Sequence, residues 1–139
     1  MGGPSGNLKK CLQEGMKLTH GENPADIDME AGIYTWSLAD DRLYGDTAIA
    51  ALFGLDPLQT IRGLPLSSYI DRVHVSDQPL LTALIAKAVQ DGLPYSAEYR
   101  VRNALNEFEF VMAVGRCFRD PAGNPSLYSG IIYPVRGLQ

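Results

Sequence analysis

Few side chains in this sequence are equipped for chemistry. His74 and Asp77 stand three apart, a spacing at which an imidazole and a carboxylate can meet, and an imidazole can move a proton near neutral pH or ligate haem iron. Catalysis would need more: a nucleophile elbow, a metal cluster, a phosphate loop or a third group that orients the pair. None accompanies them, and His74 lies in a turn beside Ser76 and Asp77, which read as caps of the helix that follows. The pair is therefore read as structural and the chain as a non-enzyme. His20, in a polar link, carries still less weight. Cys11 and Cys117 lie far apart, without Cys-x-x-Cys spacing or a nearby His, so they read as reduced, packed thiols and signal neither a disulfide framework nor a metal site.

Recognition is the other chemistry on offer. Trp36, Phe53, Tyr69, Leu84, Tyr99 and Met112 are large residues at positions expected to face one interior, and with His74 they would suit an amphipathic ligand in an apolar pocket. The same aromatics, burying ~150–250 Å² each, can instead simply fill a core. Both readings stay open at this level. Arg100 and Arg102 share a strand face with Glu98 and read as cross-strand charge pairing on a solvated surface.

The elements that must position these residues follow from periodicity. Leu8, Cys11, Leu12, Gly15 and Met16 recur at the spacing of a short amphipathic helix, too short to be stable alone, so its apolar stripe must cover the body or a second chain. Gly21-Glu22-Asn23-Pro24 stops it, and Glu22, Asp26, Asp28 and Glu30 form an acidic link. Residues 1–30 thus read as a flexible start, helix and link, and 31–136 as the main domain. Ile33 to Leu38 and Arg42 to Gly45, joined at Asp40-Asp41, form a hairpin. Asp46 or Thr47 caps a short helix ended by Gly54, Leu66 to Val73 gives another, and Leu81, Leu84, Ile85, Ala88 and Val89 face one way on the longest. Tyr95, Ala97, Tyr99 and Val101 alternate with polar residues, Phe108, Phe110, Met112 and Val114 continue the period, and Leu127 to Val135 makes a last strand after the Asp120–Pro125 turn. An α+β fold follows, a five-stranded antiparallel sheet with short helices inserted as one block over one face, which makes a natural cradle.

Composition narrows the classes. With 139 residues, 45% hydrophobic and 20% charged, the chain suits one domain with one core. Gly and Pro together make 23 residues (14 + 9), which predicts many turns and excludes a coiled-coil rod. Residues 1–20 carry +2 (three Lys, one Glu) and residues 21–139 carry −6 (nine basic, fifteen acidic). An acidic body without a basic stripe argues against nucleic acid. No apolar run approaches the ~20 residues of a membrane span, and the opening Met1–Gly6 lacks the apolar core of a signal peptide, so a soluble, cytoplasmic protein is expected.

Several segments then resemble one family. Gly32-Ile33-Tyr34-Thr35-Trp36-Ser37-Leu38, Leu52-Phe53-Gly54-Leu55-Asp56-Pro57, Tyr69-Ile70-Asp71-Arg72-Val73-His74-Val75-Ser76-Asp77 and Tyr95-Ser96-Ala97-Glu98-Tyr99-Arg100-Val101 are similar to the PAS superfamily. The nearest likeness is to the subgroup with a first-strand Trp, a Leu-Phe-Gly helix end, an Arg-Val-His turn and a Glu-Tyr-Arg strand, as in bacterial sensor kinases and cyclases. The likeness continues through Gly115-Arg116, Arg119–Pro125 and Tyr128–Ile131, about residues 31–135. It implies a sheet of order 2-1-5-4-3, a pocket, and a sensory or regulatory role in signal transduction of the two-component kind, upstream of a kinase or cyclase output. It also implies a homodimer through a preceding helix, for which Leu8, Leu12 and Met16 fit.

Departures carry information. Val75-Ser76-Asp77 replaces the family's Pro-Asp after the His, and Pro134-Val135-Arg136 stands where an Asp-hydrophobic-Thr linker usually leads to an output domain. With three residues left, the output is expected on another chain or on sequence outside this one. LOV photoreceptors, a branch of the superfamily, carry their reactive Cys in the helical block, which here has none, while Gly115-Arg116-Cys117-Phe118 belongs to a strand; cysteinyl-flavin chemistry is excluded. The resemblance does not mark His74 as a haem ligand. Non-covalent flavin or a small organic ligand stays open, as does the ligand's identity. The alternative is a ligand-free interaction module with a filled core.

Overall fold

The computed structural model describes residues 29–135. Along the chain run β1 (Gly32–Ser37), β2 (Arg42–Gly45), α1 (Thr47–Phe53), α2 (Pro57–Arg62), α3 (Leu66–Ile70), a 3-10 turn (Val75–Asp77), α4 (Gln78–Asp91), β3 (Tyr95–Arg102), β4 (Phe108–Arg119) and β5 (Pro125–Pro134). All strand pairs are antiparallel, in the order β2-β1-β5-β4-β3, as the resemblance implies. The stripe of Leu8, Leu12 and Met16 lies outside the described residues. No described helix is long and apolar enough to cross a membrane.

Local chemistry starts and stops the helices. Asp46 caps α1, Oδ1 accepting from the Ile49 amide at 3.0 Å, while its Oδ2 accepts from Ile33 at 3.2 Å and so ties the helix to β1. Gly54, at φ 63°, closes α1 in the left-handed region. Asp56 caps α2 ahead of Pro57. A staple then fixes the block on the sheet, with Arg72 donating from Nε to the Phe53 carbonyl at 2.7 Å and from Nη2 to the Arg102 carbonyl at 3.1 Å.

The core lies between the helices and one sheet face. Ile49, Leu52, Val101, Val111 and Ala113 are fully buried there. The strand register decides which residues point inward, because directly paired residues share a face. Tyr99 pairs with Val111 and Ala97 with Ala113, so the inward set on β4 is Val111, Ala113 and Cys117. Met112 pairs with the exposed Glu98 and points the other way. The alternation of Phe108, Phe110, Met112 and Val114 is real, but it is the outer face, and Met112 does not face the cradle.

Two further expectations change. Asp77 precedes α4 but makes no side-chain cap bond; its carboxylate is taken by Arg100, so Arg100 does not pair with Glu98. The 3-10 turn is capped by His74 instead, whose Nδ1 accepts from the Ser76 amide at 3.1 Å.

Candidate functional site

A cavity of about 40 Å³ lies between the helical block and the sheet, room for about two or three water molecules. From the sheet, Tyr34, Trp36, Leu43, Tyr95, Tyr99, Tyr128 and Ile132 face it; from the helices and their turns, Ile49, Phe53, Leu66, Tyr69, Ile70, Val73, Leu81 and Ile85 do. No charged side chain is among them. Four of the candidate residues read from the sequence, Trp36, Phe53, Tyr69 and Tyr99, come together here.

The other three do not line it. His74 sits in its turn with its ring 4.8 Å from that of Phe108, on the outer side of the sheet edge. Leu84 packs beside the core and lines a shallow groove with Lys87 and Leu93, because Leu81, Ile85 and Ala88 occupy the inward stripe of α4. Met112 is on the outer face. Tyr34, Tyr95 and Tyr128 were missed, though period-two parity marks two of them: Tyr34 with Trp36 on β1 and Tyr95 with Tyr99 on β3.

Tyrosines dominate the polar character of the cavity. The Tyr34 and Tyr128 rings stack at 6.4 Å, and Tyr95 meets Tyr128 edge-on at 5.4 Å. Tyr69 is satisfied, donating to the Leu43 carbonyl at 2.8 Å, and burial pushes its phenol up to about 12, a rise that the Thr60 hydroxyl opposes. Tyr34 and Tyr128 are 4% and 2% exposed, and among the described residues neither hydroxyl has a hydrogen-bond partner of good geometry. Burial is the main cause that raises the pKa of both, and the neighbouring Tyr95 hydroxyl raises both further. A buried hydroxyl left unpaired costs about 1–3 kcal/mol, so two in one cavity call for explanation.

The backbone makes room for one of them. Gly115 and Gly130 pair across β4 and β5, and a Cβ on Gly115 would collide with the Tyr34 hydroxyl, one on Gly130 with the Val114 carbonyl. Trp36 closes one side of the cavity, its indole 6.3 Å from the Tyr128 ring and its Nε1 donating to Asp41 Oδ1 at 3.0 Å.

Comparison with known proteins fits this architecture. Residues 42–132 match the family model described as PAS fold, 91 of the 139 residues. The chain belongs to the PAS family. Among solved structures, this PAS domain is similar to the N-terminal domain of a diguanylate cyclase with PAS/PAC sensor from Marinobacter aquaeolei (TM-score 0.68, 19% identity, 76% of this chain and 94% of that one). It is likewise similar to a sensory box histidine kinase/response regulator from Burkholderia thailandensis (0.64, 20%, 77% and 78%) and to the domain of a light and redox sensing histidine kinase from Haloarcula marismortui (0.67, 16%, 89% and 99%). No curated protein matches the sequence. PAS domains are sensory modules of signal-transduction proteins, typically without catalytic activity of their own.

The cofactors that such domains hold can be tested against this one. A fused isoalloxazine system or a haem macrocycle is many times the size of the cavity. Among the described residues, neither His74 nor a cationic side chain faces it to ligate iron or to meet an anionic substituent. The residues present do not fit either group. Among the described residues no three His, Cys, Asp or Glu side chains are grouped to hold a metal ion.

Proposed function

We propose that this PAS domain is the input module of a signalling protein, that a small organic cue binds in the tyrosine cavity, and that the domain forms a homodimer through the stripe of Leu8, Leu12 and Met16. The output is of kinase or cyclase type, carried on another domain or a partner chain, and residues 31–136 form the sensory unit behind the N-terminal helix and link. The observation that supports cue binding is the pair of buried, unpartnered hydroxyls on Tyr34 and Tyr128. A ligand oxygen that reaches either hydroxyl would satisfy it, converting a cost of the empty state into affinity. Support for dimerisation comes from the outer sheet face, where Ile33, Phe110 and Ile131 are exposed and need a cover.

A second reading has its own observation. The cavity is small, and the outer face is apolar over several strands, as suits an interaction module that senses nothing itself. Native mass spectra of the purified protein, with thermal melts of the wild type against Tyr34→Phe/Tyr128→Phe, separate the two. A co-purifying small-molecule mass, or a melt raised by added ligand in the wild type alone, supports sensing. Identical ligand-free behaviour of both proteins supports the interaction module.

A further inference from the structure

Trp36 divides two spaces of different chemistry. Its inner side lines the cavity, and its outer side lines an open groove with Leu38, Asp41, Leu66, Ile70 and Asp71. Leu66 and Ile70 also line both spaces, so the wall is one side chain thick. The polar anchor of the indole is its exposed bond to Asp41 Oδ1, the same oxygen that accepts from the Leu66 amide at 3.2 Å. Water competes readily for an exposed bond, so breaking this one adds little to the cost of moving Trp36. Inside, an ion would lose its hydration without finding a partner, whereas a hydroxyl or carbonyl would find two free phenols. Outside, Asp41 and Asp71 are the charged ones among the described residues lining the groove, and both are exposed.

We propose that the cue is an amphipathic molecule whose uncharged, oxygen-bearing end passes Trp36 into the tyrosine cavity, while its other end, neutral or cationic, stays in the acidic groove. This rests on the cue-binding reading above and goes further, since it excludes anionic ligands. Size agrees with it. A cavity of about 40 Å³ takes only the tip of an organic molecule, and the remainder needs the groove that opens when the indole swings.

Three matched probes test the proposal on the full chain: 1-hexanol, 6-aminohexan-1-ol and 6-hydroxyhexanoate, which share a hydroxyl tip and differ at the far end. The chain has a single tryptophan, so its emission reports displacement of Trp36 directly, and calorimetry gives the affinities. The expected result is saturable binding of the neutral and ammonium probes, with the carboxylate about ten-fold weaker or worse. Tyr34→Phe should weaken all three. Asp41→Asn/Asp71→Asn keeps an acceptor for the indole and should narrow the gap between ammonium and carboxylate to less than about three-fold. Tyr34-dependent binding in which the carboxylate matches the ammonium probe would overturn the ligand class and leave cue binding standing. Failure of all three probes to bind overturns both.

Discussion

Asp77 grips Arg100 through both carboxylate oxygens: Oδ2 accepts from the Arg100 backbone amide at 2.9 Å and from Nε at 3.0 Å, and Oδ1 accepts from Nη2 at 2.8 Å. The pair pins the start of α4 to β3, the strand that carries Tyr99 into the cavity. The His74 amide adds a bond to the Arg100 carbonyl at 2.8 Å. One short turn therefore sets the distance between the helical lid and the sheet.

This pairing predicts an acid-sensitive component of stability. The Arg100 guanidinium holds the Asp77 carboxyl down at about 2, against about 4 for a free side chain. Because the folded value is the lower one, the contribution is complete above about pH 4 and is lost as pH falls from there towards about 2. Urea midpoints measured across that window should drop more steeply for the wild type than for Asp77→Asn, which retains an acceptor but has no charge to titrate. Parallel curves would show that the pair is screened out in solution.

Tyr34→Phe should leave the fold as stable as the wild type or make it more so, by up to about 1 kcal/mol, since the hydroxyl it removes is buried and unpartnered. Most large-to-small core changes destabilise, so the sign is diagnostic. A melt lowered by several degrees would mean that the oxygen has a partner in solution, such as a retained water.

How legible this was in the sequence depends on the range of each interaction. The Asp46 cap and the Gly54 stop are settled within a few residues, and they read correctly; α2, capped by Asp56, is not anticipated. Asp77 looked like another cap because the partner that claims it lies 23 residues away on β3. Met112 was placed inward because β4 is apolar on both faces, with the bulk outside (Phe108, Phe110, Phe118) and smaller residues inside (Val111, Ala113, Cys117); size pointed one way and register the other. Leu84 shows the same limit on a helix, where neighbouring apolar positions differ by the angle that separates core from flank. Tyr128 is placed inward only by the register of β5 against β1 and β4.

The Gly115 position predicts a coupling. Gly115→Ala should destabilise by about 1–3 kcal/mol, because the added methyl meets the Tyr34 hydroxyl, the Ser129 carbonyl and the Tyr128 ring. Removing the hydroxyl relieves one of these clashes. The Gly115→Ala/Tyr34→Phe double variant should therefore recover part of the loss, seen as a positive interaction in a double-mutant cycle of chemical denaturation. Strict additivity would place the clash elsewhere.

The outer sheet face carries the last prediction. Ile33 pairs with Ile131, and Ile131 with Val114, in one apolar row across β1, β5 and β4. Phe108 and Phe118 lie beyond it, each beneath an arginine, with Arg102 at 4.4 Å and Arg116 at 4.6 Å from the ring centroids. The apolar centre of this face suits the apolar side of an amphipathic helix, and the stripe of Leu8, Leu12 and Met16 is proposed as that side. A dimer built on it would bring two such faces under cover, at the scale of about 800 Å² per partner that stable association needs. Leu12→Glu and Ile131→Glu should each convert a dimer to a monomer in light scattering while leaving the far-UV spectrum of the fold unchanged, since Ile131 is 40% exposed and tolerates charge in the monomer. A wild type that is monomeric at high micromolar concentration, or dimers indifferent to both substitutions, would remove the stripe and this face from the interface.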